Sequence, residues 1–298
     1  MGPENETAVT EFILEGFPEL DPRLQVFFSR VLLLMYLTTV MGNATIVFLV
    51  CVDHHLQTPM YFFISNLAFL EIWFTSSTSI KLFVMLSSGQ NTLSLSSCFA
   101  QNYFYFALGC TEFILLVVMS FGRYVAICKP LLYAAIMKPQ LCVHLAVAAW
   151  VLSFALLSYR LLFLSELSFC GSKIPHFFCD NSPLFKLSCS DTSLLWKIDS
   201  VFISSFGCFV FMVFSYVQIF RAVLRIPSEQ GRHKAFSTCL PHLVVLSLFL
   251  STGTFAHLKP SSMSSPSLDL TVSVLYSVVP PALNPLVYSL RNQELKAA

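Results

Sequence analysis

Residues 97–127 read SCFAQNYFYFALGCTEFILLVVMSFGRYVAI, and Glu112 and Arg123 are the only charged side chains in them. About 20 mostly apolar residues are enough to carry a helix across roughly 30 Å of hydrocarbon. The string lacks the two-residue alternation of a membrane β-strand, and a helix satisfies its own backbone in lipid. The stretch predicts a transmembrane helix, closed by Lys129-Pro130.

Working outward, six further runs have the same character. They cover about 27–52, ending at Asp53-His54-His55, and about 60–86, following Pro59. Next come about 141–164 and about 195–224, the latter before Arg225 and Pro227. The last two are about 235–258, before Lys259-Pro260, and about 268–290, ending at Arg291-Asn292. The longest piece between runs is about 165–194, too short for a soluble domain. The expected fold is an all-α membrane protein, a seven-transmembrane helix bundle, with a tail at 1–26 and another at 291–298.

Composition agrees. The chain is 56% apolar and 11% charged, with 30 Phe among its 298 residues. A soluble domain carries about 25% charge. There is too little polar material here to cover a water-facing surface, so lipid is an expected partner. A soluble enzyme, a disordered chain and a nucleic-acid binder relying on a basic surface are excluded.

Orientation is read from the Lys/Arg bias of short loops. With the N-terminus outside, nine of the 17 basic residues fall on the inner face, which is no bias in itself. The sharper signal is the loop after the fifth run, where Arg221, Arg225, Arg232 and Lys234 cluster. Asn5-Glu6-Thr7 matches a glycosylation sequon, reachable only from the lumen. Asn43-Ala44-Thr45 also matches but lies mid-membrane. The first 25 residues hold six acids and one base, the opposite of a cleaved signal peptide. The tail is expected to be retained and extracellular, with the C-terminus cytoplasmic.

Of ten cysteines, Cys98, Cys170, Cys179 and Cys189 fall on the outer side, where thiols oxidise. Four such residues suggest two disulfides, with three possible connectivities. A bridge from Cys98 to the long loop would hold that loop over the bundle.

Ionisable groups within a span are costly and tend to be paired or functional. Glu71, Glu112, Arg123 and Arg160 are of this kind, with Lys197 and Asp199 at the start of the fifth run. Asn43, Asn66 and Asn284 add neutral polar groups. Glu71, Asn43 and Asn284 are candidates to meet in the interior with water or a cation; simple interhelical hydrogen bonding is the alternative. Asn284-Pro285 interrupts its run with Pro280-Pro281 just before, which predicts a kink and a candidate hinge. Catalytic signatures are lacking: there is no H-E-x-x-H, G-x-S-x-G or Walker sequence, and the histidines show no metal-ligand spacing. No enzymatic activity, cofactor or metal is expected.

Five strings then stand in order along the chain. Leu56-Gln57-Thr58-Pro59-Met60-Tyr61-Phe62-Phe63 opens the second run, and Arg123-Tyr124-Val125-Ala126-Ile127-Cys128-Lys129-Pro130-Leu131 closes the third. Ser215-Tyr216 lies late in the fifth, and Lys234-Ala235-Phe236-Ser237-Thr238-Cys239 followed by His242-Leu243 opens the sixth. Pro280-Pro281-Ala282-Leu283-Asn284-Pro285-Leu286-Val287-Tyr288-Ser289-Leu290-Arg291-Asn292 closes the seventh. Over essentially its whole length the chain resembles the odorant (olfactory) receptors of the rhodopsin-like G-protein-coupled class. Leu70-Glu71-Ile72-Trp73 is similar to family 6 of those receptors.

The resemblance implies a plasma-membrane receptor for small volatile molecules that activates a stimulatory olfactory-type heterotrimeric G protein and raises cyclic AMP. It implies pairing of Cys98 with Cys179 and Cys170 with Cys189, with Cys98–Cys189 as the alternative. It places ligand contacts at Tyr105, Phe106, Gly109 and Cys110, at Ser200, Val201 and Ser204, at Gly253, Thr254 and His257, and at Val274 and Ser277. Switch and G-protein-coupling positions fall on Asn43, Glu71, Gly122, Arg123, Tyr124, Tyr216, Asn284, Pro285 and Tyr288. The expected cavity is mostly apolar with a few hydroxyl, thiol and imidazole groups to orient a neutral odorant.

Three departures from the family pattern bear on function. Gly122 stands where an acid usually precedes the arginine, which loosens the expected resting lock and raises the reading of a weakly signalling relic. Leu250 replaces a typical tyrosine. The residues after the seventh run allow a very short eighth helix at most and include no cysteine. A small transporter or channel is the alternative class; it would need an internal repeat or paired broken helices, and no convincing repeat is present.

Overall fold

A computed structural model describes residues 9–16, 21–189, 201–258, 274–275, 277–285 and 287. Its central element is the helix of the decisive stretch, Leu95–Cys128, begun by Ser94, whose hydroxyl accepts from Ser97 N at 3.3 Å. At 34 residues and 1.5 Å per residue it spans about 51 Å, well beyond the hydrocarbon thickness.

In chain order the helices are α1 (Pro22–Val52), α2 (Pro59–Ser88), α3 (Leu95–Cys128), α4 (Pro130–Ile136), α5 (Pro139–Ser165), α6 (Asn181–Leu187), α7 (Val201–Leu224) and α8 (Glu229–Leu258). Residues 277–285 are also helical. Proline opens α1, α2, α4 and α5 at the first helical turn, where its missing N–H costs no bond. Gly89 ends α2 in the left-handed conformation at φ 68°, its N–H closing on Met85 O, the usual glycine cap.

Among the described residues α1, α2, α3 and α5 are long and apolar enough to cross a membrane. Their exposure is that of a lipid-facing bundle. Leu34, Met41 and Phe48 of α1 are 63–69% exposed, a patch that water would not tolerate. The opposite stripe of α1 (Leu32, Thr39, Asn43, Ile46, Val50) is buried, and α2 packs on α1 and α3. α3 also packs on α5, α7 and α8. The chain is a multi-pass membrane protein.

One end of the bundle carries a three-stranded sheet that the sequence reading did not anticipate. Strand β1 (Glu11–Leu14) lies between β2 (Thr92–Ser94) and β3 (Lys173–Ile174). Phe12 faces Leu93 across the antiparallel pair, and Leu14 faces Ile174 across the parallel one. Phe12 and Leu14 are fully buried, and Phe12 meets the Phe169 ring edge-on at 5.3 Å. Lys81 Nζ donates to Gln90 O and Thr92 O, fixing the approach to β2.

Candidate functional site

Beneath the sheet, the segment 174–179 fills the mouth of the bundle. Ile174, His176, Phe177, Phe178 and Cys179 are all buried. Cys179 is bonded to Cys98 at the start of α3, with Cα atoms 5.4 Å apart, and Cys170 to Cys189, 5.2 Å apart. The first bridge closes a long loop, which in the chain-entropy account removes the most freedom from the unfolded chain. Hydrogen bonds reinforce it: Asn102 Nδ2 donates to Cys179 O at 2.8 Å and Cys179 N donates to Gln101 Oε1 at 3.2 Å.

Below this plug the sequence-predicted ligand positions of α3 divide between two faces. Tyr105 is buried, stacked on Phe74 at 5.0 Å and against Phe178 at 4.7 Å. Gly109, one turn on, also faces Phe74; a Cβ there would lie 3.7 Å from its ring. Phe106 and Cys110 are half-buried, and the Cys110 thiol is free. Phe106 meets Tyr105 edge-on at 5.1 Å. Val274 packs against the core, and the Ser277 hydroxyl is buried and donates to Val274 O. Val201, Ser204, Gly253, Thr254 and His257 lie on α7 and α8, but their side chains fall outside the described residues, as do Ser200, Asn5 and Tyr288 altogether.

The buried polar centre is built around a proline. Pro285 has no N–H, so the carbonyl four residues earlier loses its helical donor. That carbonyl is Pro281 O, and Asn43 Nδ2 of α1 donates to it at 3.4 Å. Gly42 permits the approach, since a Cβ there would meet Pro285 Cβ at 3.2 Å. Asn284 Nδ2 donates to Glu71 Oε1 of α2. Asn43, Glu71 and Asn284, each at most 2% exposed, thus tie three helical segments together. Among the described residues Glu71 Oε2 and Asn284 Oδ1 stay without a partner, a costly state at this depth.

At the end opposite the sheet, Arg123, Tyr216, Cys239 and His242 converge. Tyr216 and Cys239 both lie within electrostatic range of Arg123, as does His242. The Tyr216 hydroxyl hydrogen-bonds His242 Nδ1, joining α7 to α8. Arg123 Nε is buried without a partner. Gly122 is buried, and a Cβ there would touch the Met137 methyl at 3.4 Å. Tyr124 packs with Ile219, Val223 and Cys239. On α4, burial and nearby Cys142 push the Tyr133 phenol above its usual pKa, while Arg123 pulls it down. Between α7 and α8 runs an apolar groove of about 510 Å³ that includes Tyr216, Phe220, Phe236 and Leu250. His242 was absent from the predicted site; its place in the fourth motif, three residues after Cys239, was the signal available.

A family model described as olfactory receptor matches residues 32–298. The chain belongs to the olfactory receptor family. It is similar to olfactory receptor 1E16 of Mus musculus, 44% identical over 301 residues, covering 100% of this chain and 96% of the relative. Olfactory receptor 1 of Rattus norvegicus is also 44% identical, with the same coverage. Olfactory receptor 6C74 of Homo sapiens is 43% identical over 295 residues, covering 98% and 94%. The resemblance drawn from the five motifs, family 6 included, is borne out.

Proposed function

We propose that this olfactory receptor binds small, mostly apolar volatile molecules in the outer half of a seven-helix bundle and activates a stimulatory olfactory-type G protein, raising cyclic AMP. It sits in the plasma membrane with the sheet end extracellular, residues 27–290 forming the receptor domain between an outer tail (1–26), glycosylated at Asn5, and a cytoplasmic segment that includes 291–298.

The observation that carries this reading is the polar joint at the proline break, where Asn43 serves Pro281 O and Asn284 reaches Glu71. It is a packed, hydrogen-bonded element, and packed elements of this kind convert a small shift into a switch between discrete arrangements. A ligand acts on it through Tyr105, Phe106, Gly109 and Cys110 of α3, with Ser200, Val201 and Ser204, Gly253, Thr254 and His257, and Val274 and Ser277 completing the site. Burial supplies about 25 cal/mol per Å² of apolar ligand surface, and the few hydroxyl, thiol and imidazole groups orient it. Any ligand that prefers one arrangement shifts the equilibrium by its differential affinity. The shift is read at Gly122, Arg123, Tyr124, Tyr216 and Tyr288, where the G protein docks.

The test is a cyclic AMP reporter in cells bearing the receptor at the surface, challenged with a broad panel of neutral odorants. At least one odorant should raise cyclic AMP, and Arg123→Ala should abolish the rise without removing the protein from the surface. Silence across the panel, together with no nucleotide-dependent binding of G protein to the purified receptor, would overturn the proposal.

A further inference from the structure

The inward stripe of α5 runs Ala146, Ala149, Ser153, Leu157 and Leu164, all buried. The spacing of three and four residues is that of one helix face. Arg160 occupies the same stripe between Leu157, 7% exposed, and Leu164, 4% exposed. The lipid face is marked by Tyr159 and Leu162, at 66% and 67%. A guanidinium is therefore directed into the bundle rather than along the lipid boundary. Its surroundings are a cavity of about 20 Å³ bounded by Asn102 and Tyr103 of α3, Leu157 and Leu161 of α5, and Asn181 and Phe185 of α6. Arg160 also lies within electrostatic range of Cys110. Asn102, Phe106 and Cys110 recur at four-residue spacing, so the cation addresses the face of α3 that carries two of the proposed odorant contacts.

A cation at this depth is expected to be paired. Among the described residues Arg160 has no ion pair or hydrogen bond. Neither Glu112, whose Oε1 is buried without a partner, nor Asp180, whose Oδ1 accepts from Asn181 N, forms an ion pair with it. The competing donor is spent: Asn102 Nδ2 gives its hydrogens to Cys179 O and Asn181 Oδ1, both at 2.8 Å. What remains is a fork of N–H donors facing a space that holds about one water-sized group, one helical turn along α3 from Phe106. Arginine matches a carboxylate through two parallel bonds.

We infer that Arg160 is the seat for the carboxylate of an acidic ligand whose apolar chain extends into the proposed odorant site along Phe106 and Cys110. The inference rests on the odorant-receptor reading for the ligand's identity, but the seat can be tested without signalling. Full-length receptor in phosphatidylcholine nanodiscs is unfolded thermally in the presence of hexanoate, 1-hexanol, sodium chloride or sodium gluconate.

Hexanoate should raise the melting temperature at concentrations at least tenfold lower than hexanol. Arg160→Gln should raise the hexanoate concentration for half-maximal shift at least tenfold and leave the hexanol response unchanged. Arg160→Lys, which keeps the charge but loses the fork, should fall between; it and the wild-type acid–alcohol contrast carry the test if the Gln variant does not fold. Equal potency of acid and alcohol on the wild type, or an unchanged hexanoate response in Arg160→Gln, overturns the assignment. So does an Arg160-dependent shift from chloride that hexanoate does not reproduce. An Arg160-dependent hexanoate shift with no cyclic AMP response to any odorant would leave the seat standing and remove the signalling reading. Loss of the hexanoate shift with intact responses to neutral odorants would do the reverse.

Discussion

The Cβ that Gly122 lacks would sit against the terminal methyl of Met137, a flexible neighbour that can move aside. Gly122→Asp would thus bring a carboxylate beside Arg123, whose Nε has no partner. A hydrogen bond to a charged group contributes about 1.5–3 kcal/mol, enough to shift a resting-to-active ratio by about tenfold or more. Basal cyclic AMP is expected to fall severalfold in Gly122→Asp at equal surface expression. Gly122→Ala, which improves helix propensity by about 1 kcal/mol without the charge, should leave the basal signal unchanged. Asn43 bears on stability. Asn43→Ala would return Pro281 O to its unpaired state, and a buried unpaired group costs about 1–3 kcal/mol. The melting temperature of purified receptor should drop, while Thr45→Ala, on the exposed side of the same helix, should leave it unchanged. That Asn43, Glu71 and Asn284 are interior polar residues was legible from their place in apolar runs. Which carbonyl Asn43 serves was not, because its partner is 238 positions away and no local pattern encodes such a pairing.

Helices were the most legible elements, and their ends the least. The run expected at about 235–258 belongs to a helix that begins at Glu229. Likewise 60–86 lengthens to Pro59–Ser88, because hydropathy marks where lipid ends while the helix continues until a cap stops it. Strands β1, β2 and β3, of four, three and two residues, are too short for an alternation signal; only their mutual pairing defines them. This makes β1 the place to test whether the sheet is structural. Phe12→Ala removes a fully buried ring, a change that typically costs about 3–5 kcal/mol. Surface expression and melting temperature should both fall markedly, and Ile13→Ala, half-buried on the alternate face, should have a much smaller effect. Equal effects would mean that the strand packs through something other than the Phe12 face.

For the molecule as a whole, the decisive prediction is topological. An epitope at the N-terminus should be accessible on intact cells and one at the C-terminus only after permeabilisation. Asn5→Gln should abolish a glycosidase-sensitive mass increment, while Asn43→Gln leaves it in place. Both epitopes on one side of the bilayer would refute an odd number of crossings. Membrane residence, helical class and family were all readable from the chain alone. They depend on composition, on runs as long as a bilayer is thick and on contiguous motifs, each a property of neighbours in sequence. The plug over the mouth, the split of Tyr105 and Gly109 from Phe106 and Cys110, the service of Asn43 to a proline-orphaned carbonyl and the inward aim of Arg160 became visible when the helices were packed. Those are contacts between distant segments, and a side chain's partners are set by which helix faces meet, a choice that lipid-driven burial leaves open until the bundle closes.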